Sequence, residues 1–221
     1  MRLAILSESA ADEAAIRVLV EGILGQATLP VELFQLPARG VDRIATALPS
    51  VVRHLYYRTE ADALVVVVDS DLTPVHQPAH EEKAGIDAKC RLCQMRQAIS
   101  QVQNDLRAKQ LSRPLVKIAL GLAVPTIDAW YLCGKNANVR EMAWTGGLQA
   151  KQLCDLPAKL PYTKQQLKLE AYGTDRPSLQ WETQIAIRES QRIVQNHLPV
   201  LEALFPNGFG GLAQEVRSWS L

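Results

Sequence analysis

Along the first 120 residues, short apolar blocks alternate with longer stretches of helical periodicity. Leu3–Ser7, Val31–Leu36, Ala63–Val68 and Pro114–Leu120 have the length and composition of strands. Ala11–Leu24, Val41–Tyr57 and Ala88–Lys109 repeat apolar residues every three to four positions and read as helices. Val65, Val66, Val67 and Val68 are β-branched and apolar on both faces. A central parallel strand covered by helices on both sides requires that. The order predicts an α/β protein of Rossmann-like type, with right-handed crossovers and a four-stranded parallel sheet. Gly25 is expected to stop the first helix and Pro49 to split or kink the second.

Beyond the fourth strand the pattern turns helical, over Thr126–Cys133, Thr163–Tyr172, Leu179–Ala203 and Leu212–Trp219. An α/β core over 1–122 with a helical extension over 123–221 packed on it is the organisation expected. Gly146-Gly147 and the Gly208–Gly211 run read as turns or helix entries, because neither leads from a strand into a Lys-Ser/Thr phosphate loop.

Composition is that of a soluble globular chain: 221 residues, 48% hydrophobic and 21% charged. No apolar run approaches the roughly 18 residues of a membrane span. Cys90, Cys93, Cys133 and Cys154 are too few for a disulfide framework in a chain this long. With no targeting segment in view, a reducing cytoplasm is the expected compartment. Charge is unevenly spread. Residues 1–87 hold 7 Lys+Arg against 13 Asp+Glu, a balance of −6, and residues 88–221 hold 17 against 10, a balance of +7. A nucleic acid held by the basic part and processed at the acidic part would suit that split. Helix surfaces that are simply rich in Lys and Arg would produce it equally.

The acidic residues carry the chemistry. Glu8 directly follows the first strand, with Asp12 and Glu13 close behind, and Asp69-Ser70-Asp71 follows the third. Ligands of parallel sheets bind beyond the carboxyl ends of the strands, so Glu8, Asp69 and Asp71 are expected on one rim. Oxygen-only donors suit a hard cation such as Mg²⁺ or Mn²⁺. Asp12, Glu13 and Asp128 are further candidate ligands. The competing reading is local: acids at a helix N-terminus favour its dipole, and Asp is a common turn residue. Asp128, in the first turn behind Pro125, fits either capping or ligation, and Trp130 reads as core.

This arrangement resembles the TOPRIM (topoisomerase–primase) superfamily, and within it the small stand-alone bacterial members, many of unknown function. Ala4-Ile5-Leu6-Ser7-Glu8-Ser9 is similar to the opening of those domains, with Ser9 where they carry Gly. Asp69-Ser70-Asp71 matches their D-x-D motif, and Val124–Leu132 resembles a Pro-x-x-Glu-Ala-Trp segment, with Asp128 in place of Glu. Phe205–Leu212 is a fainter likeness to their C-terminal helix start. The resemblance covers about residues 1–135. It implies a Mg²⁺-dependent site in which Glu8 is the general acid or base and Asp69 and Asp71 hold the metal. The activity implied is phosphodiester chemistry on nucleic acid, as a nuclease, with a defence role and a partner protein from the same locus as family-level expectations. A non-catalytic metal- or nucleotide-binding module is the alternative that Ser9 and Asp128 raise. A receiver-like signalling domain fits less well, because a single Glu directly follows the first strand.

A second constellation is His76, His80, Cys90 and Cys93, spaced H-x3-H-x9-C-x2-C. These are candidate ligands of a structural Zn²⁺. Against that, Cys90 and Cys93 fall at helical i, i+3 spacing and suit a core face. Lys151, Lys159, Lys164, Lys168 and Arg176, interleaved with Tyr162 and Tyr172, are candidates to contact phosphates and stack bases, with a solvated helix surface as the alternative. Lys164 or Lys168 reaching the acidic rim would favour a nuclease. No G-x-S-x-G elbow supports a hydrolase triad.

Overall fold

The computed structural model describes residues 1–34, 41–77, 79–82, 87–109, 113–153 and 160–220. Strands β1 (Arg2–Leu6), β2 (Leu29–Pro30), β3 (Ala63–Asp69) and β4 (Lys117–Ala123) form one parallel sheet in the order β2-β1-β3-β4. The helices are α1 (Ala10–Leu24), α2 (Val41–Arg58), α3 (Ala79–Glu82), α4 (Arg91–Ala108), α5 (Asp128–Tyr131), α6 (Glu141–Leu153), α7 (Lys164–Tyr172), α8 (Leu179–Asn196), α9 (Leu198–Leu204) and α10 (Gly211–Arg217). Helix α1 packs on α8 and α10, and α2 packs on α4. The sheet core is made by Leu3–Leu6 of β1 and Ala63–Val68 of β3, all buried. The α/β class and the parallel four-stranded sheet therefore agree with the hydrophobic pattern, as does the left-handed Gly25 (φ 66°) closing α1.

Boundaries depart from the sequence reading in instructive ways. The second strand pairs at Leu29–Pro30, not over Val31–Leu36, with Arg2 opposite Leu29 and Leu3 opposite Pro30. Pro30 is tolerated because this is an edge strand; Gln35 and Leu36 lie outside the described residues. Strand four starts three residues later than expected, since its register is set by β3, from Ala63↔Lys117 to Asp69↔Ala123. Helix α2 runs unbroken through Pro49. Ile44, Leu48, Val51, Val52 and Leu55 are buried on one face of it, and that burial offsets the hydrogen bond lost at the proline. The Leu179–Ala203 stretch breaks at His197, because Pro199 fits the first turn of a new helix but not the interior of an old one.

Helix α6 has no counterpart in the sequence reading, and Gly146-Gly147 lie within it. A Cβ on Gly147 would meet Pro161 Cδ at 2.6 Å, so the glycine serves close packing. The Gly208 region is a wide π-helical turn, Pro206–Gly210. A Cβ on Gly208 would lie 2.2 Å from the Leu122 carbonyl oxygen. Buried Glu141 ties that turn to α6, accepting from Asn207 Nδ2 at 2.6 Å and from the Gly208 N–H at 2.9 Å. Trp130 and Cys133 are fully buried, as core residues; Cys154 and Lys159 lie outside the described residues. No helix among the described residues is long and apolar enough to cross a membrane.

Candidate functional site at the carboxyl edge of the sheet

The exits of β1, β3 and β4 are stitched together by hydrogen bonds. Ser7 Oγ donates to Val67 O at 2.8 Å, and Glu8 Oε1 accepts the Asp69 N–H at 3.0 Å. Ser70 N–H donates to Ala123 O at 2.7 Å and Asp71 N–H to Pro125 O at 2.9 Å. Asp69 Oδ1 accepts the Ile127 N–H at 3.1 Å, which brings α5 and Asp128 to the same rim. Asp71 is left-handed (φ 50°), a conformation that Asp tolerates better than most residues. Ser9 is the N-cap of α1: its side chain accepts the Asp12 N–H at 3.1 Å.

Cations from two later elements, α4 and α7, close on this edge. Lys164, the first residue of α7, donates to Asp69 Oδ2 at 2.9 Å and pairs with Asp71 Oδ1. Arg91, the first residue of α4, donates to Asp69 O and to Asp71 Oδ2, both at 2.5 Å. Lys168 pairs with Glu182 of α8 at 3.3 Å. Asp128, almost fully buried, accepts from Tyr172 Oη at 2.6 Å.

Burial first, and then the crowding of negative charge, set the proton affinities of these groups. Burial raises Glu8, and Asp69 and Asp71 raise it further. Burial and then Asp69 push Asp12 up to about 8. Burial lifts Asp128 to about 6, against the opposing hydrogen bond from Tyr172. Burial would raise Asp71 too, yet Lys164 and Arg91 hold it below the ordinary carboxylate range. Burial works to lower Lys164, but Asp69 and Asp71 prevail and raise it. Tyr131, whose hydroxyl is fully buried without a hydrogen-bond partner among the described residues, is raised by burial and by Asp12.

Glu8, Asp69 and Asp71 thus meet on one rim, with Asp12 and Asp128 in the same electrostatic cluster and Lys164 and Lys168 reaching it. Glu13 instead lines a neighbouring groove of about 670 Å³ with Arg17, Glu32 and Phe34. Tyr162 and Tyr172 are not base-stacking platforms: both are buried, Tyr162 against Trp144 and Tyr172 on Asp128. Arg91, Tyr131 and Glu182 were not foreseen. The position of Arg91 between two candidate metal ligands was the one available signal. Comparison with family models, curated proteins and solved structures finds no match. What the site can do therefore rests on its own chemistry.

The second constellation also assembles. His76, His80, Cys90 and Cys93 bring one ligand atom each within 4.8 Å of one another, and can hold a metal ion. Among the described residues no other group of three or more His, Cys, Asp and Glu comes so close together. Burial, Arg96 and His80 lower His76 to about 4, so its ring is neutral and suited to ligation. Burial pushes the Cys90 thiol up to about 12. The rim carboxylates, by contrast, are spread around the Lys164 ammonium, which already occupies the seat of a cation between Asp69 and Asp71. Their donors are all oxygen, the kind that a hard divalent ion takes.

Proposed function

We propose that the rim binds Mg²⁺ or Mn²⁺ through Glu8, Asp69 and Asp71 and acts on phosphodiesters of nucleic acid, as a nuclease. The observation that carries this reading is the hydrogen-bonded meeting of Glu8 with Asp69 beside a cation held by Asp69 and Asp71. A bound ion would offset charge on the phosphate oxygens and activate water. In the role that the resemblance implies, Glu8 is the group that accepts a proton from the attacking water. Lys164, released from the aspartates, and Arg91 are suited to neutralise charge developing on phosphate oxygens. The His/Cys cluster stands apart from that chemistry, and its closed set of two imidazoles and two thiolates suits structural Zn²⁺.

One observation favours a second reading, a module that binds without turnover: the seat between Asp69 and Asp71 is already filled by Lys164. Calorimetric titration with Mg²⁺ and Mn²⁺ beside a cleavage assay on DNA and RNA separates the two. The nuclease reading expects Glu8→Gln and Asp69→Asn to abolish metal-dependent cleavage while both variants stay folded. Cleavage at the parent rate by either variant overturns it, and ion binding with no cleavage of any nucleic acid favours the module.

A further inference from the structure

The connection from β3 to α4 leaves the rim at Asp71 and returns to it at Arg91. His76 and His80 lie on the way out, and Cys90 and Cys93 flank the return. We propose that one Zn²⁺, bound by His76, His80, Cys90 and Cys93, clasps this connection and thereby holds the Arg91 guanidinium against Asp69 and Asp71. The ion is a positioning device for the rim.

Three donor–donor distances match the edges of a tetrahedral site. Cys90 Sγ and Cys93 Sγ lie 3.6 Å and 3.5 Å from His76 Nδ1, and Cys93 Sγ lies 3.8 Å from His80 Nδ1. With Zn–S about 2.3 Å and Zn–N about 2.0–2.1 Å, a tetrahedron has an N···S edge of about 3.6 Å. His76, Cys90 and Cys93 are buried, and four protein donors leave no open position, as in structural rather than catalytic zinc sites. His80 Nε2 faces Asp87 Oδ2 at 3.8 Å, the kind of outer carboxylate that orients a ligating imidazole. Arg96 Nη1 lies 3.3 Å from His76 Nε2. An ion on Nδ1 leaves Nε2 protonated, so Arg96 gives up that contact and keeps Glu215 at 2.9 Å.

The link to Arg91 is covalent and short. Cys90 is the N-cap of α4 but makes no side-chain capping hydrogen bond, so the first turn lacks that anchor. Ligation of Cys90 and Cys93 supplies an anchor on both sides of Arg91. This proposal rests on the rim reading only for what Arg91 does there. Its test reads the ion and the guanidinium directly, without any cleavage assay.

The chain is freed of metal by chelation and titrated with Co²⁺, then with Zn²⁺. One Co²⁺ per chain is expected to show the intense d–d bands of a tetrahedral site and a thiolate charge-transfer band, both erased by Zn²⁺, and Co²⁺ on the carboxylate rim adds no thiolate band. Cys93→Ser should lose the spectrum. His80→Gln, at a less buried ring, should keep the fold and weaken Co²⁺ on the order of tenfold or more. Phenylglyoxal labelling read by peptide mass should be several-fold slower at Arg91 with Zn²⁺ than after chelation, while exposed Arg53 reacts alike in both. Absence of a tetrahedral Co²⁺ spectrum overturns the site. Equal Arg91 labelling with and without Zn²⁺ overturns the clasp.

Discussion

Lys164 holds the most informative single position in the molecule. Its ammonium sits where two aspartates could hold a cation, so it competes with any ion that binds there. Lys164→Met should therefore tighten Mg²⁺ binding roughly three- to tenfold, given the modest worth of a half-exposed charged hydrogen bond, and slow cleavage. Calorimetry checks the first effect, and unchanged or weaker Mg²⁺ binding contradicts the competition. Asp12 gives a pH signature. Its proton affinity rises from an unfolded value near 3.8 to about 8 in the fold. A carboxyl raised in this way contributes stability that is full below the unfolded value and lost as pH rises through the folded one. Without divalent ions, thermal stability should fall between about pH 5 and pH 8 more steeply in the parent than in Asp12→Asn. Parallel slopes in thermal melts would exclude Asp12 as the source.

Elements were legible where burial decides them and illegible where neighbours do. The four valines of β3 and the apolar stripe of α1 state their own structure in the sequence. Strand four was legible as an element, but it runs on to Ala123 instead of ending at Leu120, past Gly121. In the fold the missing side chain of Gly121 makes room for Leu212 of α10, whose Cδ2 would lie 3.1 Å from a Cβ there. Helix α6 was missed because the Gly146-Gly147 pair is a helix breaker in isolation, whereas in the fold Gly147 makes room for Pro161. Gly208 marks the tightest of these approaches. Gly208→Ala should destabilise the chain by about 1–3 kcal/mol, because the atom in the way is backbone. Urea unfolding measures it, and a neutral result would mean that the turn relaxes freely away from Leu122.

At the scale of the whole molecule, the acidic first part and the basic second part meet each other. Lys164 of the basic part pairs with Asp69 and Asp71, and Arg91 of the basic part pairs with Asp71. Part of the positive charge counted along the chain is thus spent inside the fold, which weakens a nucleic-acid reading based on charge alone. The acids of the rim were readable because each follows a strand, and parallel topology places strand ends together. Glu182 and Tyr131 were not readable, because only the packing of α8 and α5 brings them in. Anomalous diffraction from crystals soaked in Mn²⁺ tests the central claim most directly. A manganese peak bounded by Glu8, Asp69 and Asp71, with Lys164 swung away from the aspartates, is the result predicted. A Lys164 ammonium still bridging Asp69 and Asp71, with no manganese between them at saturating concentration, would contradict it.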